Sequence, residues 1–286
     1  MKKILFFYIL GCINPLHAQN SDTLTEKQLE TIVISANKVA ENKRFVAQSI
    51  QVLTANRIAQ LNAQTTADLL AQSGSVLVQR SQQGGGSPIL RGFEASRVLL
   101  VIDGVRMNNL IYRAGHLQNV MTTDQSILSR LEILQGPSST VYGSDALGGV
   151  VHLQTKNPYF STNEKAAFNG NAYVRYGSVN NEKTGHLDFN IGFKKIASLT
   201  SFTYSDFGDL RMGKKTQTLD TLWGLRKTYQ QFINGKDSLV KNSDPYLQKF
   251  SGYKQFDVLQ KFLLKSNDFL SHLLNVQYST TSDLPR

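Results

Sequence analysis

The apolar positions of this chain change their period part-way along it. Up to about residue 157 they fall in short runs separated by polar or glycine-rich breaks: Phe45 to Val52, Val76 to Gln79, Arg97 to Arg106, Leu131 to Leu134 and Val150 to Gln154. Such runs, bounded by turn formers, read as strands. Between the first two, Thr54 stands as an N-cap before Ala55 to Leu61, and Thr65 or Thr66 caps a second helix with Leu69 and Leu70 on its apolar face. Asp103-Gly104 is a hairpin signal at the end of a buried strand. A further helix is predicted from about Asp124 to Ser129. Residues 45–157 thus have the pattern of a compact α+β domain.

From residue 166 onward the period is two. In the run His186 to Phe193, Leu187, Phe189, Ile191 and Phe193 share one face, while His186, Asp188 and Asn190 share the other. Ala172 to Tyr176, Leu199 to Tyr204, Phe256 to Leu264 and Leu273 to Tyr278 repeat the alternation at the length of membrane β-strands. A polar stretch over about 206–253, rich in Lys, Tyr and Asp, reads as one long loop among short turns. A soluble β-sandwich would show the same alternation, and period alone does not separate the two.

The N-terminus sets the compartment. Lys2 and Lys3 precede the apolar run Ile4 to Ile13, which is too short to span a membrane, and Leu16-His17-Ala18 offers a cleavage site. This reads as a secretory signal peptide over residues 1–18; the competing reading makes Cys12 an acylated lipoprotein cysteine. Cys12 is the one cysteine of the 286 residues, so a chain cut after Ala18 carries no disulfide. Residues 19–29 are polar and aperiodic, a flexible leader. The β-branched run Glu30-Thr31-Ile32-Val33-Ile34-Ser35-Ala36 follows, and reads as an edge strand or as a strand offered to another protein by β-augmentation.

Charge and motifs narrow the function classes. The balance of 31 Lys+Arg against 21 Asp+Glu gives +10, yet no basic helix or aromatic-basic motif accompanies it, so nucleic acid ranks last among the partners. Gly84-Gly85-Gly86 lacks the Lys-Ser/Thr of a phosphate loop, and Pro88 with a strand-like run follows it. No Ser-His-Asp spacing, metal-ligand pair or mature cysteine nucleophile marks an enzyme.

Three motifs carry a resemblance. Pro88-Ile89-Leu90-Arg91-Gly92-Phe93, Val101-Ile102-Asp103-Gly104-Val105-Arg106, and the run from Leu131 through Gln135-Gly136-Pro137 and Tyr142-Gly143 to Gly148-Gly149-Val150-Val151 resemble the plug domain of TonB-dependent outer-membrane receptors, in order and spacing. The resemblance implies an α+β plug followed by the first antiparallel strands of a transmembrane β-barrel, in the outer membrane of a Gram-negative bacterium. It implies a TonB box at Glu30, Thr31, Ile32, Val33, Ile34, Ser35 and Ala36, within a leader over 19–44. The plug is expected over 45–158 and the opening part of the barrel over 159–286. It further implies TonB-dependent uptake of a nutrient without covalent chemistry, with TonB, energised by ExbB and ExbD, as partner. Gly136, Gly143, Gly148 and Gly149 are expected at tight turns or close backbone approaches. Arg91 and Glu132, embedded in apolar strands, are expected to meet opposite charges in the lumen as a plug–barrel lock. After the plug 128 residues remain (286 − 158), enough for about five or six strands where such a barrel has about 22. The reading is therefore of an incomplete barrel, and a non-functional remnant stays an alternative.

Within the plug, residues 111–119 read IYRAGHLQN. Gly115-His116-Leu117 resembles the corresponding stretch of haem and haemoglobin receptors, which implies His116 as a ligand to haem iron, Tyr112 as a fallback oxygen ligand and Arg113 as a partner for a propionate. Haem is then a transported ligand, with no permanently bound cofactor. The alternative cargo is a ferric siderophore or another small nutrient, for which His116 has no special role.

Overall fold

The computed structural model describes residues 32–80, 83–107, 119–213 and 224–282. The expected signal peptide and leader, the first two residues of the expected TonB box, and Tyr112, Arg113 and His116 lie outside them.

The chain first forms a short antiparallel pair, β1 (Ile32–Val33) with β2 (Glu41–Asn42). There follow β3 (Ser49–Thr54), α1 (Ala55–Leu61), α2 (Thr66–Gln72), β4 (Leu77–Gln79), β5 (Ser87–Ile89), β6 (Val98–Ile102), β7 (Val105–Arg106), β8 (Leu128–Gln135), α3 (Ser139–Tyr142) and β9 (Gly149–Thr155). Five of these strands build one mixed sheet in the order β3-β8-β9-β6-β7, in which only β6 and β9 run parallel. The period-two side chains of this sheet feed two separate apolar layers. Leu131, Ile133, Val151, Leu153, Leu100 and Ile102 face α1 and α2, where Ile58, Leu69 and Leu70 close the layer. Ile50, Leu134, Val150, Leu99 and Val101 face the other way, and Val33, Ala36 and Tyr142 cover them.

Local chemistry sets the ends of these elements. Thr65 starts α2 with a capping box: its hydroxyl accepts from the Asp68 N–H while the Asp68 carboxylate accepts from the Thr65 N–H. Thr54 precedes α1 as expected, although its side chain makes no capping bond. The helix expected over 124–129 is one 3-10 turn, Gln125–Ile127, capped by Asp124. It stops there because Leu128 is already paired across to Thr155, and sheet pairing outweighs one helical turn. Gly149 has φ +148°, where a Cβ would drive into the Leu134 carbonyl, so only glycine fits the crossing of β8 and β9.

The second unit is an antiparallel sheet, β10 (Ala167–Gly177), β11 (Glu182–Gly192), β12 (Ile196–Phe207), β17 (Tyr253–Lys265) and β18 (Ser271–Thr281). These strands are 11 to 13 residues long, the span of membrane strands. Between β12 and β17 the chain makes β13 (Leu210–Arg211), β14 (Thr228–Ile233), β15 (Lys236–Lys241) and β16 (Leu247–Gln248). The long polar loop expected here is therefore partly built: β13 pairs with β16, and β14 with β15 around Asn234-Gly235. The alternation read from the sequence holds. Glu182, Thr184, His186, Asp188 and Asn190 of β11 are buried against the plug, while Leu187, Phe202, Tyr204, Phe256 and Phe262 stand exposed on the outer face. No helix among the described residues is long and apolar enough to cross a membrane.

Candidate functional site

At one end of the plug, residues 32–36 lie across the sheet face opposite the helices. Val33 is completely buried and Ala36 nearly so. The segment leaves its extended course after Val33, so Ile34 and Ser35 find no strand partner for their N–H groups. Both donate instead to the carboxylate of Glu132 in β8: Ile34 N to Oε2 at 3.0 Å and Ser35 N to the same oxygen at 2.8 Å. Arg130, two residues before Glu132 and on the same face, gives Nη1 to the Ile32 carbonyl at 2.5 Å and lies 3.3 Å from Glu132 Oε1. Glu132 has no exposed surface, and its charge is met by two N–H groups and one guanidinium.

His152 stands opposite Glu132 in the β8–β9 register. Its ring is buried, and neither nitrogen has a hydrogen-bond partner. Burial holds its pKa below the ordinary histidine value, against the opposing pull of the Glu132 and Asp103 charges.

The plug is tied to the barrel wall at several heights. Asp103, at the β6–β7 turn, pairs with Lys261 of β17 at 3.0 Å, and Lys261 is fully buried. Lys261 Nζ also donates to Asn157 at 2.7 Å, and Asn275 of β18 donates to Asp103 at 2.9 Å. Burial alone would raise the Asp103 pKa, but hydrogen bonds from Thr155 and the Lys261 charge hold it below the ordinary value. Farther along, Arg175 of β10 pairs with Glu182 at 2.7 Å and donates to the carbonyls of Ala63 and Gln64 between α1 and α2. A polar chain runs between these points: the Thr203 hydroxyl donates to Asp124 at 2.5 Å, His186 lies 2.7 Å from Thr203 and 2.9 Å from Asp188, and Lys156 lies 2.6 Å from Asp188. Gly84 seats against the wall too; a Cβ there would lie 2.6 Å from the Tyr253 ring. Gly86 is just as tightly seated, but within the plug, where a Cβ would lie 2.7 Å from Val78 and 2.8 Å from Ala67.

These contacts correct the expected plug–barrel lock. Glu132 does meet opposite charge, but its partner Arg130 and its two N–H donors all belong to the plug. Arg91 is not embedded in a strand: it sits exposed at φ +49° in the turn between the bridged residues Leu90 and Phe93, and donates to Gln135 at 3.3 Å. Among the described residues, the hydrogen bonds of both stay within the plug. Ion pairs that do join plug and wall are Asp103–Lys261 and Lys156–Asp188; the sequence marks Asp103 only as a turn residue, and Lys261 lies 158 residues away (261 − 103), so no local pattern shows that pair.

The expected ligand residues Tyr112, Arg113 and His116 fall within 108–118, outside the described residues. The chain re-enters at the turn Asn119–Thr122, where Met121 packs with Phe207 and Tyr253. Those two residues flank the 208–252 connection. Residues 32–36 lie at the far side of the sheet from α1 and α2. No group of three or more potential metal ligands occurs among the described residues.

A mixed sheet with an apolar layer on each face, seated against a wall of long antiparallel strands, has counterparts among known proteins. A family profile described as the TonB-dependent receptor plug domain matches residues 42–150. Residues 42–150 are similar to that plug domain. The vitamin B12 transporter BtuB of Vibrio vulnificus is 35% identical over 150 residues, which is 51% of this chain and 23% of that protein. Among solved structures, the ferripyoverdine receptor of the outer membrane of Pseudomonas aeruginosa superposes with a TM-score of 0.62 at 17% identity, over 87% of this chain and 27% of that one. The siderophore receptor PirA from Acinetobacter baumannii gives 0.58 at 15% identity, over 87% and 33%. The copper transporter OprC gives 0.59 at 16%, over 81% and 30%. The chain spans about a quarter to a third of the length of these relatives. Its fold matches the plug and the opening antiparallel strands of these proteins.

Proposed function

We propose that this receptor takes up a scarce nutrient across the outer membrane, drawing energy from TonB, and that residues 30–36 are the segment TonB pairs with. The observation that supports this reading is the seating of Val33 to Ala36 on the plug face opposite the helices, held by hydrogen bonds rather than by a continuous strand. ExbB and ExbD energise TonB in this scheme. The barrel and plug move the cargo and make no covalent bond with it. Replacing Ile32 or Val33 with proline removes a donor N–H that strand addition needs. Uptake should be lost while surface binding of cargo survives; full uptake in both variants would remove the TonB-box assignment.

For the cargo we propose haem, on the Gly115-His116-Leu117 stretch alone. The relatives are named for vitamin B12, ferric siderophores and copper, so the class they have in common is a metal or metal chelate. A neutral imidazole at His116 suits haem iron, with Tyr112 and Arg113 beside it in sequence. Titrating the receptor and its His116→Ala variant with haemin should give a Soret shift that the variant weakens. Identical spectra and affinities would leave a siderophore or cobalamin-like cargo as the reading.

A further inference from the structure

The docked segment poses a problem for any partner that binds it. β-Augmentation needs an extended strand with its N–H and C=O groups facing outward, yet here Ile34 and Ser35 turn their N–H groups into the plug. Their acceptor is a carboxylate with no exposed surface, in the middle of an apolar layer. A buried carboxylate that loses its donors is costly, so Glu132 and the segment stabilise each other. Arg130 completes the clamp by holding the Ile32 carbonyl one residue before the buried Val33. Beyond the clamp, Ile32 and Val33 pair with Asn42 and Glu41 of β2, Val33 and Ala36 pack on the sheet, and just after the segment Lys38 lies over the Tyr142 ring at 4.9 Å, a cation–π contact.

We infer that the Glu132 carboxylate is the latch of this segment: it keeps residues 32–36 folded onto the plug, and its two N–H bonds must open before the segment can pair with TonB. The inference rests on the proposed TonB-box reading and adds to it the residue that sets how readily the box is released. The latch is selective in position. β8 carries Glu132 towards the segment and, by alternation, Leu131 and Ile133 towards the helices, so a shift of β8 by one residue would withdraw the carboxylate from Ile34 and Ser35 altogether. β8 also leads directly from the Asp124 turn that touches the barrel wall through Thr203. A movement of that turn therefore has a covalent route, four residues of strand long from Leu128, to the latch (132 − 128).

The test reads the two N–H groups themselves, by hydrogen exchange of the whole receptor in outer-membrane vesicles, without cargo. Glu132→Gln keeps the shape and removes the charge, and the protection of the Ile34 and Ser35 amides should fall about tenfold or more. The amides of Ile133 and Val151 should keep theirs, which shows the plug still folded. Arg130→Gln, at a partly exposed position, should lower the same two amides by a smaller factor without touching the core. Unchanged protection in both variants, or a loss at Ile133 and Val151 as large as at Ile34, overturns the latch. A second arm measures binding of the purified C-terminal domain of TonB, which should increase in Glu132→Gln. If protection falls but that domain binds neither protein, the latch stands and the TonB-box reading is what fails.

Discussion

Asp103 is held at once by Lys261, Thr155 and Asn275, and Lys261 has no other charged partner among the described residues. Removing one member of such a pair leaves the other buried and uncompensated, which costs about 3–5 kcal/mol, whereas removing both costs far less. Lys261→Met should thus loosen the plug in its seat, seen as a lower urea midpoint for trypsin cleavage within the plug. Adding Asp103→Asn should recover most of the loss. A double variant as weak as the single one would show that the seat does not depend on this pair. The titration has a definite sign. The folded pKa of Asp103 lies below the ordinary 3.8, so its contribution is full above about pH 3.8 and is lost as the pH falls through the lower, folded value.

His152 has the same sign in a different window. Its folded pKa lies below 6.5 because burial disfavours the imidazolium, so the stability linked to it is complete above about pH 6.5 and declines as the pH falls towards the folded value. The imidazolium formed there would face Glu132, the acceptor of the docked segment, and Asp103 lies close enough to add its charge. Protection of the Ile34 and Ser35 amides, corrected for intrinsic exchange, should therefore drop between pH 7.5 and 5 in the parent and stay flat in His152→Phe. A pH-independent parent would show that this histidine never charges while the plug is folded.

At the scale of elements, legibility followed how local the cause was. The lipid-facing alternation of β11 and β12 is visible because each strand has one wet face and one apolar face along its whole length. β10 was read too short: Ala167 to Asn171 looks like a turn, with Asn169-Gly170-Asn171, yet it pairs residue for residue with Gly192 to Asp188. Nothing within those five residues encodes that; the partner strand does. The β14–β15 hairpin was legible and overlooked, since Asn234 at φ +50° and Gly235 at φ +78° form the Asn-Gly turn that such hairpins favour. In the plug the two helices were placed by their caps and periodicity. Asp124 was read as a helix start, and its capping role survives although the helix does not. Of the candidate site, Ile32 to Ala36 could be read as a strand for pairing, but its attachment to Glu132 spans about a hundred residues of sequence and no local pattern carries it. The same distance hid Lys261.

At the scale of the molecule, the five described barrel strands are one wall with two free edges, β10 and β18. Each edge is 11 residues long and presents a row of N–H and C=O groups with no neighbour in the sheet. Water can satisfy such groups, but hydrocarbon cannot, and each one left unpaired in lipid costs several kcal/mol. The outer face makes the alternative no better, because Leu187, Phe202, Phe256, Phe262 and Val276 are exposed on it and need lipid or a partner. The plug covers only the inner face, through Asp103, Asp124 and the Ala63 and Gln64 carbonyls that take Arg175 of β10. A polypeptide of residues 19–286 produced by itself has therefore no closed arrangement as a single copy. In outer membranes it should show no difference in gel mobility between boiled and unboiled samples, and trypsin should cut it within β10 or β18 at concentrations that leave a closed barrel intact. A heat-modifiable, trypsin-resistant band from that polypeptide would mean that several copies close one barrel together, and the edges of β10 and β18 would then be subunit interfaces.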